Sequence, residues 1–281
     1  MSRLWHDRLL VSLAPDSVAL VRIAGALRPR IVSRQALDCD PWYGTEPWQG
    51  AAAAFAAAAE PLLRERLDVT VVLSNHFMRY AIVPFDAAIA TPEEELALAR
   101  FHFTKVHGER AGGWEVRLSE GPRRASRLAS AVDAGLIEAI RACFPPNAKA
   151  RLVSVQPHLM SAFNLWRGTV AKEAAKEAAW LLLVEPRGAC LALLTGRSWA
   201  AAQTFRGEFR GPGDWAALLD RQRLRTDAAS SPHTALVHAP ADWKPIAGEA
   251  HGWKFLGLAP PPLDGYLPLE DEHLAMALTS R

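Results

Sequence analysis

Residues Trp180–Trp199 read WLLLVEPRGACLALLTGRSW. Leu181–Val184 and Ala189–Leu194 are nearly continuous apolar runs, the pattern of strands covered on both faces. Between them, Glu185-Pro186-Arg187-Gly188 has turn chemistry: the proline presets φ, and Gly188 is expected to supply the free backbone the turn needs. A similar hairpin opens the chain. Leu9–Leu13 reads as a strand, Ala14-Pro15-Asp16-Ser17 as a turn and Val18–Ile23 as the returning strand. Two such hairpins, each at the head of a long segment, imply an α/β protein built from two related halves.

The length of 281 residues suits one large domain or two ordinary ones, and half of the residues are hydrophobic, enough for a sizeable core. A net charge of +2 and a pI near 8.5 are too balanced to point to nucleic acid or an anionic membrane. No apolar run approaches the roughly 18–20 residues of a membrane span. Met1–Arg8 carries charges with no apolar signal core behind it, so secretion is not expected. Cys39, Cys143 and Cys190 are far apart and form neither a disulfide framework nor a zinc motif. A reducing, cytosolic location is the expectation.

Arg30–Cys39 alternates loosely as a third strand after the first hairpin. The following loop carries Trp42, Tyr43 and Trp48, read as aromatics pinning it to a core, with an exposed ligand platform as the other possibility. Trp48–Leu67 holds the helix-favouring run AAAAFAAAAE. Val69–Ser74 and Met78–Phe85 read as strands. Thr91-Pro92-Glu93-Glu94 is a helix start: Thr91 caps, Pro92 suits the first helical position and Glu94 closes a capping box. His102 and His107 on this helix are five apart, which is not the spacing of a metal pair. Trp114–Leu118 and Arg124–Val132 read as strands. Arg117, Arg123, Arg124 and Arg127 make a basic cluster, either solvated charge or a surface for an acidic partner. Asp133–Phe144 is a helix capped by Asp133, Lys149–Val155 a strand and Pro157–Trp166 a short helix. Gly168–Ala179 has helical-spacer chemistry. After the central hairpin come a third strand near Ala200–Phe205 and a helix over Asp214–Arg225, capped at Gly213 or Asp214. Thr234–His238 and Trp253–Leu258 are short strands, Ala259–Pro268 is extended and Glu270–Leu278 a final short helix or a partner-binding tail.

Three stretches carry a resemblance: VTVVLSNHFMRYAIVPF (69–85), TPEEELALARFHFTKV (91–106) and RLASAVDAGLIEAIRACF with ARLVSVQPHLMSAFN. Their strand, helix and strand order resembles the actin-like fold, and within it the PilM-type pilus-assembly proteins and the cytoplasmic part of GspL-type secretion proteins. The resemblance spans most of residues 8–260 and rests on pattern more than identity. It implies an α/β, actin-like (RNase H-like) two-lobed fold with mixed sheets flanked by helices. It also implies an inserted small α/β subdomain at about 77–144 and a reduced second lobe. Residues 1–168 would form the first lobe and 169–281 the second.

Nucleotide-binding members of that superfamily place an Asp and a Gly in each hairpin turn, where backbone amides cradle phosphate and the Asp positions magnesium or water. Here Pro15 removes an amide donor from the first turn, Asp16 is displaced, and Ser17 is not glycine. In the second turn Glu185 sits where Asp is expected and Pro186 again deletes a donor, ahead of Arg187 and Gly188. The strand end Val155-Gln156-Pro157-His158 lacks an acid, and Val237-His238-Ala239-Pro240-Ala241-Asp242 lacks the glycine pair of an adenosine pocket. These departures imply a pseudo-ATPase with no catalytic residues and no cofactor.

The resemblance then implies a cytoplasmic scaffold of a type IV pilus or type II secretion-like assembly platform, held at the inner membrane through partners. It would bind the cytoplasmic N-terminal peptide of a bitopic inner-membrane assembly protein in a groove lined from about Phe77 to Trp114. A secretion or pilus motor ATPase is a further candidate partner. A chain ending at Arg281 without a membrane span fits the free-standing PilM type better than the GspL type. The alternative is a nucleotide-dependent actin-like ATPase using ATP with magnesium held by Asp16 and Glu185. Other chemistry is not indicated. Ser12, Ser74 and Ser154 lie in no nucleophile elbow. Gly207 and Gly211–Gly213 form no phosphate fingerprint. His233, His238, His251 and His273 are scattered, and Trp180, Trp199 and Trp215 adjoin apolar runs, where core packing is the default.

Overall fold

The computed structural model describes residues 7–25, 27–40, 46–89, 91–121, 124–176, 178–196, 198–226, 233–240, 248–260, 262–265 and 274–280. The chain opens with β1 (Asp7–Leu13), β2 (Ser17–Ala24) and β3 (Arg30–Asp38), then α1 (Gln49–Ala59), β4 (Leu67–Leu73) and β5 (Arg79–Val83). Next come α2 (Pro92–His107), β6 (Trp114–Leu118), β7 (Arg127–Asp133), α3 (Ala134–Ala142), β8 (Arg151–Pro157), α4 (His158–Leu165) and α5 (Arg167–Ala174). The second meander is β9 (Ala179–Glu185), β10 (Gly188–Thr195) and β11 (Ser198–Arg206), followed by α6 (Pro212–Arg225), β12 (Thr234–His238), β13 (Gly248–Ala250) and β14 (Trp253–Gly257).

Local chemistry sets several of these limits. Thr91 accepts from the Glu94 amide while the Glu94 carboxylate accepts from the Thr91 amide, the reciprocal box expected at the start of α2. Asp133 caps α3 by accepting from Gly135 N at 2.8 Å. The alanine-rich helix is shorter than the expected Trp48–Leu67. It ends at Ala59, and Pro61, which has no amide to continue the ladder, leads into a 3-10 turn over Leu62–Arg64. At α6, Gly213 and Asp214 are not the cap. Pro212 takes the first turn, and Asp214 instead accepts from Arg210 N at 2.7 Å.

The chain packs as two compact units, Met1–Phe77 with Asp133–Leu165 and Pro260–Arg281, and Met78–Val132 with Trp166–Ala259. The first holds a five-stranded sheet of order β3-β2-β1-β4-β8. β1 is antiparallel to β2 and parallel to β4, and β4 is parallel to β8. The second holds a six-stranded sheet of order β11-β10-β9-β12-β14-β13. Its first five strands repeat the same order and the same parallel and antiparallel relations. One face of this sheet, from Trp180, Leu182 and Val184, packs on Trp215, Leu218 and Leu219 of α6. Trp180, Trp199 and Trp215 are buried, as their apolar flanks imply.

The composition of the units differs from the division at 168/169. Leu263, Leu274, Ala277 and Leu278 pack on Leu10, Ala19, Val21 and Ile23, so the C-terminal segment completes the core of the first sheet. Within the second unit, β5 runs against β11 and so attaches the inserted subdomain to the second sheet. The insertion is also shorter than 77–144: residues 78–132 belong to the second unit and α3 to the first.

Candidate functional site

The two hairpin turns share a hydrogen-bonding plan. In the first, Ala14 N donates to Ser17 O at 2.8 Å around Pro15-Asp16. In the second, Glu185 pairs with Gly188 around Pro186-Arg187. The third strand of each meander closes on the same turn position: Cys39 N donates to Asp16 O at 2.9 Å, and Gly207 N donates to Arg187 O at 3.1 Å. Ala14 therefore corresponds to Glu185, Pro15 to Pro186, Asp16 to Arg187 and Ser17 to Gly188. The two acids that sequence reading brought together as magnesium holders occupy different turn positions. Asp16 has a cation, Arg187, as its counterpart, and buried Glu185 has Ala14.

Gly188 does not play the role expected of it. The left-handed residue is Arg187, with φ of 59°. Proline before a positive φ is the type II order, with arginine where glycine or asparagine is usual. Gly188 is the first residue of β10, and a Cβ there would lie 3.1 Å from Phe205 O. It is glycine because a neighbouring strand approaches closely.

The other two segments singled out for nucleotide contact are the ends of β8 and β12. At the end of β8, Gln156 Nε2 donates to Ser154 Oγ at 3.0 Å and His158 is buried. The start of α4 is tied by Leu159 N donating to Asn75 Oδ1 at 3.2 Å. At the end of β12, His238 is buried against the Trp166 ring, centroids 4.8 Å apart. His238 Nδ1 lies 3.0 Å from Leu258 O, and Trp166 Nε1 donates to Ala259 O at 3.3 Å. No local pattern marks this Trp166–His238 contact, because its partners lie 72 residues apart on separate elements. Ala241, Asp242, His273, Trp42, Tyr43 and Arg123 lie outside the described residues. Trp48 packs on Gly135, where a Cβ would come within 2.9 Å of its ring.

The inserted subdomain is a three-stranded sheet of order β5-β7-β6 with α2 on one face. Val83, Val116, Ala129 and Ala131 meet Ala99 and Phe103 there. Trp114 sits at the rim, 5.0 Å from the His107 ring and 6.1 Å from Phe103. Burial, with Arg79 adding, holds the His107 pKa below its ordinary value. Burial also lowers Arg79, and the charges of Arg206 and Arg110 push it the same way. Phe85, Phe101 and Val106 are exposed. Two members of the basic cluster are matched by the protein's own carboxylates, Arg117 by Glu115 at 2.8 Å and Arg127 by Glu95 at 3.6 Å. Among the described residues no group of three or more metal-ligating side chains occurs. Elsewhere in the second unit a cavity of about 360 Å³ is lined by Glu173, Lys176, Thr234, Leu236, Lys254 and Leu256, none of them flagged by motif.

No protein-family model matches the sequence, and no curated protein matches it. Solved structures do. A chain of a PilM-PilN type IV pilus biogenesis complex is similar over 97% of this chain and 96% of that one, at 14% identity and a TM-score of 0.68. A protein of unknown function from Bacteroides thetaiotaomicron with the actin-like ATPase fold matches over 85% and 84%, at 9% identity and a TM-score of 0.55. The cytoplasmic domain of EpsL, an inner membrane component of the type II secretion system of Vibrio cholerae, matches over 98% and 96%, at 12% identity and a TM-score of 0.51. Among the described residues no helix is long and apolar enough to cross a membrane. The repeated strand order and these likenesses together give the chain's fold family: it has the actin-like fold.

Proposed function

We propose that this protein is a non-catalytic, cytoplasmic scaffold of a pilus or secretion-like assembly platform, held at the inner membrane by the N-terminal tail of a bitopic partner. The observation that carries the non-catalytic part is the proline at the second position of both hairpin turns, Pro15 and Pro186. A phosphate bound at such a turn needs main-chain N–H donors, and proline has none. The assembly role is supported by likeness to a chain of a pilus biogenesis complex and to the cytoplasmic domain of a secretion component. The tail lies along the inserted subdomain, where Phe85, Phe101 and Val106 offer apolar side chains to an extended peptide.

Two measurements test the proposal. Calorimetric titration of the purified chain with ATP and magnesium is expected to give no heat of binding. Micromolar affinity abolished by Asp16→Ala or Glu185→Ala overturns the non-catalytic reading in favour of a nucleotide-dependent ATPase. Pull-down with synthetic N-terminal tails of bitopic inner-membrane proteins encoded beside this chain is expected to retain one of them. Failure of every tail to bind overturns the scaffold reading.

A further inference from the structure

The inserted sheet ends on an open edge. In the order β5-β7-β6, β5 runs against β11, while β6 has no strand on its outer side among the described residues. Exposed edges are normally blunted by shortness, charged side chains, proline, bulges or a covering element. β6 reads Trp114-Glu115-Val116-Arg117-Leu118, a short strand with two charges and no proline, so a strand that pairs with it has to match those charges. Its two charges are of opposite sign and stand symmetrically about Val116. Trp114, Val116 and Leu118 turn toward α2, leaving Glu115 and Arg117 together on the other face, where they pair at 2.8 Å.

The backbone agrees with that symmetry. Ser119 N donates to Leu128 O of β7 at 2.8 Å. Alternation along a strand then turns the polar groups of Arg117 and Glu115 toward β7 and those of Val116 and Leu118 outward, with the Trp114 carbonyl. The Trp114 amide is already given to Ala111 O.

We propose that β6 is a self-association edge, which pairs antiparallel with β6 of a second copy of this chain about a two-fold axis at Val116. Val116 exchanges both hydrogen bonds with its counterpart, and each Leu118 amide reaches the other copy's Trp114 carbonyl. Glu115 then stands directly across from Arg117 of the other copy, and Arg117 across from Glu115. These are non-hydrogen-bonded positions, where side chains approach most closely. On the α2 face, Trp114 meets the other copy's Leu118, so two half-buried rim residues of this core cover each other. A non-complementary order such as two like charges would set like against like in the same register. The mirror-placed pair is what makes a second copy the occupant.

The edge is independent of the tail-binding proposal and is tested by charge exchange. Sedimentation velocity of the wild-type chain over a concentration series, at low salt, is expected to show a monomer–dimer equilibrium. Arg117→Glu and Glu115→Arg each put like charges across both symmetric contacts and are expected to weaken association roughly tenfold or more. Arg117 is exposed and Glu115 half-buried, so unchanged far-ultraviolet circular dichroism of each variant checks that the fold persists. An equimolar mixture of the two variants again sets Glu against Arg across the edge and is expected to associate at least as well as wild type. A wild-type chain that stays monomeric at every concentration overturns the proposal, and so does a dimer indifferent to both reversals. Binding of tail peptide to β6 in place of a second copy, seen as a wild-type monomer whose peptide affinity falls in the Arg117→Glu variant, also overturns it.

Discussion

The Ala14–Ser17 and Glu185–Gly188 hairpins share a backbone plan and share almost no chemistry. Each has proline second, each joins antiparallel strands by a two-residue turn, and each has the carbonyl of its third residue held by the amide that follows the third strand. Yet the third residue is an acid in one and a left-handed arginine in the other, and the first is a buried alanine in one and a buried glutamate in the other. The shared hydrogen-bonding plan is thus met by two different turn geometries, one with a left-handed third residue and one without. A chain can hold this architecture twice without holding the side chains that nucleotide chemistry needs.

The largest expected effect separates the fourth positions. Gly188→Ala drives a methyl to 3.1 Å from Phe205 O, a backbone atom fixed by the β10–β11 ladder. We expect a loss of about 1–3 kcal/mol, the range of overpacking in a fixed site. The corresponding Ser17→Ala already has its Cβ accommodated and is expected to change stability by under about 0.5 kcal/mol. Urea denaturation of both variants checks the contrast. Equal midpoints would mean that β11 yields, and that the two turns are interchangeable after all.

A smaller effect of opposite sign distinguishes the third positions. Arg187 pays about 1–2 kcal/mol for its left-handed φ, part of which is returned by the lower chain entropy of a residue that is not glycine. Arg187→Gly is expected to raise stability by roughly 0.5 kcal/mol. Asp16, with no positive φ to relieve, is expected to lose about 0.5–1 kcal/mol on the same substitution. Two losses of equal size would remove the conformational difference between the turns.

These contrasts mark the reach of sequence reading. Both meanders were legible because apolar runs broken by Pro-containing tetrads have no other good solution, and the Thr91 and Asp133 caps were legible because capping is local. The assignment of φ within Glu185–Gly188 was not. Glycine usually marks the left-handed residue, but here it marks a close approach by β11, which is non-local. The place of the C-terminal segment was not legible for the same reason: Leu274 and Leu278 read as a final short helix or a partner-binding tail until the face presented by Leu10 and Val21 is known. Of the candidate site, the missing donors at Pro15 and Pro186 could be read directly. The ties from Cys39 and Gly207 could have been inferred only by extending the hairpin register through the third strands.

The smallest effect probes what the third-position acid does electrically. Cys39 Sγ lies 3.7 Å from Pro15 O, beside the first turn. Its pKa is pushed up from 9.0 to about 11, first by burial and then by the negative charges of Asp16, Asp38 and Asp40. A thiol raised on folding supports the native state fully below its unfolded pKa, and that support fades as pH rises from about 9 toward 11. Asp16→Asn removes the charge with the largest effect of the three. The thiol then titrates at lower pH, so iodoacetamide should label native Cys39 faster at fixed pH, by about twofold for a partly solvent-screened charge. At the second turn, Cys190 is raised mainly by full burial, with Glu185 a lesser cause. Glu185→Gln should therefore leave its labelling too slow to detect while the chain stays folded. Mass-spectrometric labelling of the two variants reads both sites at once. An unchanged Cys39 rate in Asp16→Asn would mean that the acid at this turn is not felt by the neighbour that ties it down, and burial would then be the common cause at both hairpins.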